Sequence, residues 1–549
     1  MALRLEHLPA DIAPLSEFAR RALSGRISLA GLPLPRRLGD IPQPAERRDH
    51  EARAQLAEAI EAGLAPLAPP VAALDSARAL AQPGTWAVVT GQQPGLCAAP
   101  LYSLHKALQA IALARALAAA WGTPVVPVFW NHGDDHDVAE ANRLFIINEN
   151  LDVEKLSLRG LSSGRTPLAG IKLDREAHGL EALADRLDAL LAAATGTEAN
   201  RRAALDLCLP RASESMARAM TRTMTGLLGH LGLVVVEPDW IREDLSRALA
   251  GLVSSGPAPG AKARSGLAAA LATGAQAVSD LGLAPPIDPE TAALIFQVRQ
   301  SGRFALRLGG DGYRFDDEPG SRSAAELAAE IIQEPAAYSA GALLRPLVQD
   351  AVLPTAATIG GWGELAYQAQ LGPARDLAGL PPTPGLPRIS ITLTDPECRA
   401  SLAKAGLTAA QVIGGLDLTI NNKERTAPAA EALAQAAERL RSDLLDLRPA
   451  LAELDPSLVA GLKRTADQTR KTVLRLADKA ARVADNRSGA GRRHRRRLSA
   501  TLMPRATPQE RLAGPLPWLG RFGSAWIDEL LDELDPCAPE HLLVHLSDD

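Results

Sequence analysis

From Trp86 onward the chain alternates short apolar runs with longer helical periodicities. WAVVT (86–90) is an unbroken β-type run, GQQPGLCAAP is a turn, and LYSLHKALQAIALARALAAAW (101–121) places apolar residues at helical spacing. PVVPVFW (124–130) is a second run, suited to burial on both faces. Strand, glycine loop, helix and strand in that order predict a βαβ unit and hence a parallel sheet. LGLVVVEPD (231–239) and PRISITL (387–393) supply further core strands. A helical, Ala- and Arg-rich stretch at about 150–230, and alternating residues with glycine turns in LIFQVRQSGRFALRLGGDGYRFD (294–316), read as insertions between core elements. Residues 1–85 show helices broken by GLPLPRRLGDIPQP (31–44) and no strand-like run, which predicts a covering layer.

After residue 430 the period changes again. Leu433, Ala437, Leu440, Leu444, Leu447, Leu451 and Leu454 step by four and three, and so do Leu462, Ala466, Thr469, Val473, Leu476, Ala480 and Val483. This is a heptad seam in two helices. Asp455-Pro456-Ser457 stops one helix and caps the next, and Pro449 kinks the first. An intramolecular hairpin and a dimerisation coiled coil both satisfy the spacing. The expected organisation is a helical layer (1–85), an α/β core (86–420) with insertions near 150–230 and 250–335, a helical coiled coil (421–505), and a segment returning to the core (506–549).

Composition narrows the function. At 549 residues the chain exceeds what one hydrophobic core holds. Its 59 basic and 64 acidic residues give a net charge of −5, which argues against a nucleic-acid or membrane-surface protein. No apolar run approaches the ~18 residues of a spanning helix, and the N-terminus has no apolar signal core, so a cytoplasmic protein is expected. Cys97, Cys208, Cys398 and Cys537 show no CxxC spacing and predict neither a disulfide framework nor a zinc-thiolate site.

Candidate chemistry collects at the carboxyl ends of the predicted strands, where open α/β sheets bind ligands. In TGQQPGL, Thr90, Gly91, Gln92, Gln93 and Gly95 offer close backbone approach and amide groups, and the helix that follows offers N–H groups to an anion. The loop lacks the Walker and GxGxxG patterns. Tyr102 stands at the start of that helix, and Lys106 is one turn in, within reach of a phosphate or carboxylate. Trp130-Asn131-His132-Gly133-Asp134-Asp135-His136-Asp137, with Glu140 and Asn142 beyond, concentrates carboxylates and imidazoles whose repulsion pushes pKa values apart. Such a set ligates a divalent metal or binds and deprotonates a hydroxylated or amine substrate. In LLRPLVQDAVLPTAATIGGWGELAY, Arg345 is a bidentate partner for an anion. Gln349 and Asp350 follow it, and Gly360 and Gly361 lead into a helix bearing Glu364 and Tyr367. The basic run from Arg487 through Arg492–Arg497 surrounds a Ser-Gly-Ala-Gly turn and reads as a solvated loop.

Taken in order, VTGQQPGLCAAPLYSLHKA, PVVPVFWNHGDDHDVAEAN, LLRPLVQDAVLPTAATIGGWGELAYQAQL, PRISIT, the heptad hairpin and PQERLAGPLPWLGRFGSAWIDELLDELDP (508–536) resemble the bacillithiol biosynthesis cysteine-adding enzyme family. The resemblance runs from Trp86 to the C-terminus. It implies a Rossmann-like core with connective insertions plus a C-terminal coiled coil used for homodimerisation. The activity it implies is a cysteine ligase that joins L-cysteine to the amine of glucosaminyl malate, with ATP as the expected activating nucleotide. On that reading TGQQPGL, Tyr102, Gly360 and Gly361 hold the nucleotide, Lys106 or Arg345 balances charge, and Asp135, His136 or Asp137 deprotonates the amine. Trp130, Asp134, Glu140, Asn142, Arg345, Gln349, Asp350, Glu364 and Tyr367 line the substrates. Asp134 stands where the family pattern has Glu, and Ala99, His105, Trp362 and Gln368 also depart from it. A metal-dependent aminosugar hydrolase or deacetylase, a non-catalytic coiled-coil scaffold and an RNA binder are the alternatives.

Overall fold

The structure is a computed structural model that describes residues 3–27, 31–47, 49–161, 164–255, 266–309, 312–418, 428–488 and 490–548, without the side chains of 428 and 481–492. The chain divides into two compact units, Met1–Asp395 with Thr507–Asp549, and Pro396–Ala506.

In the first unit the apolar runs become β1 (Trp86–Gln92), β2 (Val125–Asn131), β3 (Val234–Val236), β4 (Thr355–Gly360) and β5 (Gly385–Pro387), all parallel and ordered β5-β4-β1-β2-β3. Helix α1 (Tyr102–Trp121) joins β1 to β2 and ends at Gly122, whose φ of 66° suits a residue without Cβ. Side-chain alternation gives each strand two buried faces. Val88, Ala357 and Ile359 meet Ala110, Leu113 and Leu117 of α1. Ala87, Val89, Val126 and Val128 share the opposite cluster with Leu56, Ile60 and Leu64 of the helix His50–Leu64. Each such Leu or Val stabilises the fold by roughly 1.5–3 kcal/mol. Chain order reverses between β1 and β4, which opens a crevice at their carboxyl ends. Three further helices border it, α2 (Arg242–Ser254), α3 (Arg345–Val352) and α4 (Trp362–Gln368).

The 294–316 pattern forms the strands Ile295–Arg299, Gly302–Gly309 and Gly312–Phe315, with Tyr338–Ala340 completing an antiparallel sheet. The stretch expected to be helical throughout begins with the second arm of a hairpin, Leu144–Ile147 with Val153–Leu156, in which Asn148 Oδ1 accepts the amides of Asn150 and Asp152. The expectation of no strand in residues 1–85 also fails. Arg4–Leu8 pairs antiparallel with His541–His545, which runs parallel to Ser390–Thr394. Only Leu8 of that strand is buried, so no alternation betrays it; the strand forms because its partner arrives from the far end of the chain. PRISITL is correspondingly split, Pro387 closing β5 and Ser390–Thr394 joining this second sheet.

In the second unit, Pro428–Asp446 and Leu458–Ser488 lie antiparallel, tied by Arg441 to Asp467 at 2.9 Å and Arg470 to Glu438 at 2.7 Å, with Ala437 and Ala466 fully buried between them. The heptads thus make a hairpin within one chain. Pro449 falls in the first turn of a separate helix, Arg448–Leu454. The basic run read as a loop is helical in Leu458–Ser488 and Ala490–Leu502. The side chains of Arg487 and Arg492 lie outside the described residues.

Within the first unit the returning C-terminal segment is fastened by buried polar groups. Arg388 donates twice to Glu510 at 2.7 Å, Glu510 accepts the Ile391 amide, and Gln509 bonds both backbone groups of Leu393. Burial raises the Glu510 carboxyl, but Arg388 and His105 outweigh it and hold its pKa well below the usual range. Burial pushes His105 down, and brings His541 to about 4. The His541 imidazole is therefore neutral in the fold down to about pH 4, while the unfolded chain protonates it near pH 6.5. Its stabilising effect is complete above pH 6.5 and drains away as pH falls toward 4, because the unfolded state binds the extra proton. Thermal melting between pH 7.5 and 4.5 is expected to fall more steeply for the natural protein than for His541→Asn; equal slopes would contradict this account.

Candidate active site

Residues of all three sequence clusters meet at the crevice between β1 and β4. A cavity of about 340 Å³ opens there, within the size range of small-molecule sites, with Trp130, His132, Asp134, Asp135, His136, Arg242, Phe296, Arg303, Ser339 and Arg345 in its wall. A narrower recess of about 30 Å³ shares His132 and Arg345 and adds Thr90, Gly91, Gln349, Glu364 and Tyr367.

The floor is an ion pair. Lys106, 2% exposed, donates to both carboxylate oxygens of Glu364 at 2.8 Å, to Gly91 O at 2.8 Å and to Gln92 Oε1 at 3.1 Å. Glu364 also accepts the Gly361 amide at 2.7 Å, capping α4. Burial raises the Glu364 carboxyl, yet Lys106, the Gly361 amide and Arg345 outweigh it and keep it ionised. Gln92 Nε2 donates to the Tyr102 hydroxyl at 3.1 Å, and the Arg388 guanidinium lies 5.2 Å from that ring. Lys106, placed among the catalytic groups by its sequence position, has its ammonium occupied and sets the shape of the floor.

The HGDDHD loop is held from several sides. Asn131 donates to Ala217 O and Thr221 Oγ1 at 2.8 Å, and the amides of Leu168 and Ala169 bond Asp135 O and Gly133 O. Asp134 forms a forked pair with Arg242 of α2. Asp135 accepts from Gln93 Nε2 and from the amides of His136 at 2.6 Å and Asp137 at 3.2 Å. Burial raises both carboxyls, but these partners outweigh it and both lie below the usual carboxylate range. His136 Nδ1 lies 3.3 Å from Arg303 Nη1, and burial, then Arg303, lowers its pKa.

Several expected site residues serve the scaffold instead. Asp137 caps the short helix Val138–Ala141 through the Glu140 amide, and Glu140 pairs with Arg143 at 3.3 Å. Asn142 clamps both backbone groups of Leu158. Asp350 binds Arg375 at 2.8 Å and Thr383, and the Thr90 hydroxyl bonds Ile359 O. Asp137, Glu140, Asn142 and Asp350 line neither cavity, because a short polar side chain beside a strand end satisfies the nearest buried backbone group first. The phosphate reading of TGQQPGL needs correction too. A Cβ on Gly91 would lie 2.4 Å from His132 Nε2 and one on Gly95 1.7 Å from Ala99 O, so these glycines admit the protein's own atoms. Leu101 N–H is taken by Ala513 O and residues 96–99 are buried, which closes the start of α1 to a ligand. Gly360 O accepts the Arg388 amide.

What sequence reading missed came from outside the motifs. Arg242 opens α2 just past β3, a strand-end position that could have drawn notice. Arg303 sits on a hairpin of an insertion and gave no signal. It is 7% exposed, stacks 3.6 Å from the Phe296 ring centroid, and donates to Ser339 Oγ at 3.3 Å; burial brings its pKa down to about 10. Arg345 donates to the Tyr367 hydroxyl at 3.1 Å. Among the described residues neither Arg303 nor Arg345 has a carboxylate partner within 4 Å. The cavity wall therefore holds three guanidiniums and two carboxylates, a balance that favours an anionic ligand. No group of three or more His, Cys, Asp or Glu converges as a metal site among the described residues.

A doubly wound parallel sheet with a cationic cavity at its switch point, joined to an antiparallel helical hairpin, defines a Rossmann-like core with a coiled-coil domain. The model for the bacillithiol biosynthesis BshC N-terminal Rossmann-like domain matches residues 39–389, and that for the BshC C-terminal coiled-coil domain matches 391–546; the chain belongs to this family. It is 30% identical over 475 residues to a protein of Salinibacter ruber, covering 85% of this chain and 84% of that one. It is 30% identical over 485 residues to one of Heliobacterium modesticaldum (84% and 83%) and 29% over 467 residues to one of Koribacter versatilis (84% of each). Each of these relatives bears the name "Putative cysteine ligase BshC".

Lys106→Met leaves the Glu364 carboxylate, whose side chain is 30% exposed, without its ammonium and is expected to cost roughly 1–3 kcal/mol in urea unfolding, whereas Lys106→Met with Glu364→Leu recovers most of the loss. A double variant as unstable as the single one would show that the ion pair is not what holds the floor.

Proposed function

We propose that the protein joins the carboxyl group of L-cysteine to the amine of glucosaminyl malate as an amide, at the expense of ATP. The observation that carries the reading is the pair of guanidiniums without a carboxylate within 4 Å among the described residues, Arg303 and Arg345, in a cavity of a family whose relatives bear the cysteine ligase name. A malate group brings two carboxylates, and the reaction requires further negative charge to pass through the site. Forming an amide from a free carboxylate in water is uphill, and the nucleotide supplies the activation.

The chain's own groups divide the remaining work. Arg345, oriented by Tyr367, and Arg303, backed by Phe296 and Ser339, are the cations placed to receive carboxylate or phosphate oxygens. Asp135 presents a carboxylate to the cavity, held by Gln93 and two amides, and suits a cationic amine before it reacts. The apolar side of the cavity, including Leu245, Leu249 and Phe296, excludes water from an activated carboxyl. A cytoplasmic setting fits the nucleotide requirement and the four unpaired cysteines. No helix among the described residues is long and apolar enough to cross a membrane.

We also propose that the helical hairpin pairs with a second copy, because Leu440, Leu447, Leu454 and Leu476 of its heptads are 43–79% exposed in the single chain. Light scattering is expected to give twice the 57.8 kDa chain mass, reverting to one chain when Leu447 and Leu454 become Glu. For the reaction, protein incubated with L-cysteine, glucosaminyl malate and ATP is expected to yield the cysteinyl amide by mass spectrometry. AMP with pyrophosphate would mark adenylation, and ADP with phosphate an acyl phosphate. Arg345→Met is expected to cost on the order of a hundredfold in kcat/KM. Product formation without nucleotide would sink the ATP assignment, and no amide at all would sink the ligase reading.

A further inference from the structure

Amide formation releases a proton from the attacking nitrogen, and the sequence offers Asp135, His136 and Asp137 to take it. The geometry engages all three. Asp137 Oδ1 accepts the Glu140 amide as a helix cap and lines neither cavity. Asp135 is already engaged by Gln93 and two backbone amides. His136 receives Arg303 Nη1 on Nδ1. A nitrogen that accepts from a guanidinium is unprotonated, so the neutral ring carries its proton on Nε2. Its outward nitrogen is then a donor.

His132 has no such engagement. It stands at the carboxyl end of β2, beside the switch point, with its backbone amide fixed to Gln92 O at 3.0 Å and its ring over Gly91. Among the described residues its imidazole makes no hydrogen bond. Neither nitrogen is a sealed orphan, unlike those of His105, and the ring forms wall in both the large cavity and the recess. The groups that face it are Gly91 and Lys106 from the floor, Arg345 from α3, and Glu364 and Tyr367 from α4.

We propose that His132 is the catalytic residue that takes the proton from the attacking amine. The assignment rests on the ligase reading above. In the step, the amine nitrogen bonds to the carbonyl carbon of the nucleotide-activated cysteine, and the bond from that carbon to the phosphate oxygen breaks with its electron pair going to the oxygen. The proton lost by nitrogen passes to a ring nitrogen of His132. Burial, Arg345 and Lys106 keep the ring neutral beforehand, as an acceptor must be, and the same cations return the proton to solvent afterwards. Arg345 lines both the cavity and the recess beside His132, where it would also meet the anion that leaves.

The test uses the full chain, with nucleotide-dependent cysteine activation (isotope exchange into the nucleotide) and amide formation measured separately. His132→Ala is expected to lower amide formation by about 10²–10⁴-fold while activation stays within about threefold, and added imidazole is expected to restore at least tenfold. His136→Asn is expected to lose less than His132→Ala. Amide formation within threefold of the natural protein, equal loss of both half-reactions, or no response to imidazole would each overturn the assignment. If the variant fails to fold, acylation of the natural protein by diethyl pyrocarbonate decides. Loss of coupling that tracks modification of His132 supports the proposal, and loss that tracks His136 overturns it. A natural protein that forms no amide with any nucleotide fails at the ligase reading, a result separable from a failure at His132.

Discussion

The pair between Lys106 and Glu364 joins three pieces of chain that are remote in sequence. Lys106 lies on the crossover helix of the first βαβ unit, its ammonium fixes the turn after β1 through Gly91 O and Gln92, and Glu364 caps the helix that follows β4. β1 and β4 are the strands between which the chain order of the sheet reverses, so the pair fastens the two halves at that seam. An ammonium buried as deeply as that of Lys106 is costly unless fully satisfied. Here four oxygens surround one ammonium, and Glu364 has an amide besides. The consequence is positional: His132 rests over Gly91, Tyr367 projects from α4, and Arg345 meets it from α3.

Charge in the cavity is arranged by pairing some groups and leaving others open. Arg242 neutralises Asp134, and that fork ties the loop after β2 to the helix after β3. Arg303 and Arg345 approach from an insertion and from α3, and among the described residues neither has a carboxylate partner within 4 Å. Burying Arg303 against Phe296 costs solvation that its bonds to His136 and Ser339 return only in part. On the proposed function, a carboxylate or phosphate bound at Arg303 would complete the compensation.

Much of this architecture is legible in the sequence because parallel strands covered on both faces must be apolar throughout. WAVVT, PVVPVF and LVVV could scarcely be read otherwise, and the heptads from Leu433 to Val483 announce two long helices by the same logic of burial. The site was legible as a place, since polar residues crowding a strand end have few packing reasons to be there. Roles within it were less so. Asp137, Asn142 and Asp350 share the chemistry of ligand-binding residues, and only their nearest backbone groups or cations turn them into a cap, a clamp and a buried ion pair. Arg388 and Glu510 illustrate the converse, a pair fastening two remote segments that no local pattern links.

By itself the sequence determined the βαβ core, the strand ends where chemistry gathers and the two heptad helices, all of which follow from periodicity and from local order along the chain; the family showed there only as a resemblance carried by the ordered motifs. The tertiary structure decided which side chain remains free to act. It set Lys106 into an ion pair, brought Arg242 and Arg303 from outside the motifs into the cavity wall, and pinned Arg4–Leu8 to a strand at the other end of the molecule. The reason is physical: a polar group's role is fixed by whichever partner first satisfies it, and in a buried crevice that partner is set by the packing of remote segments.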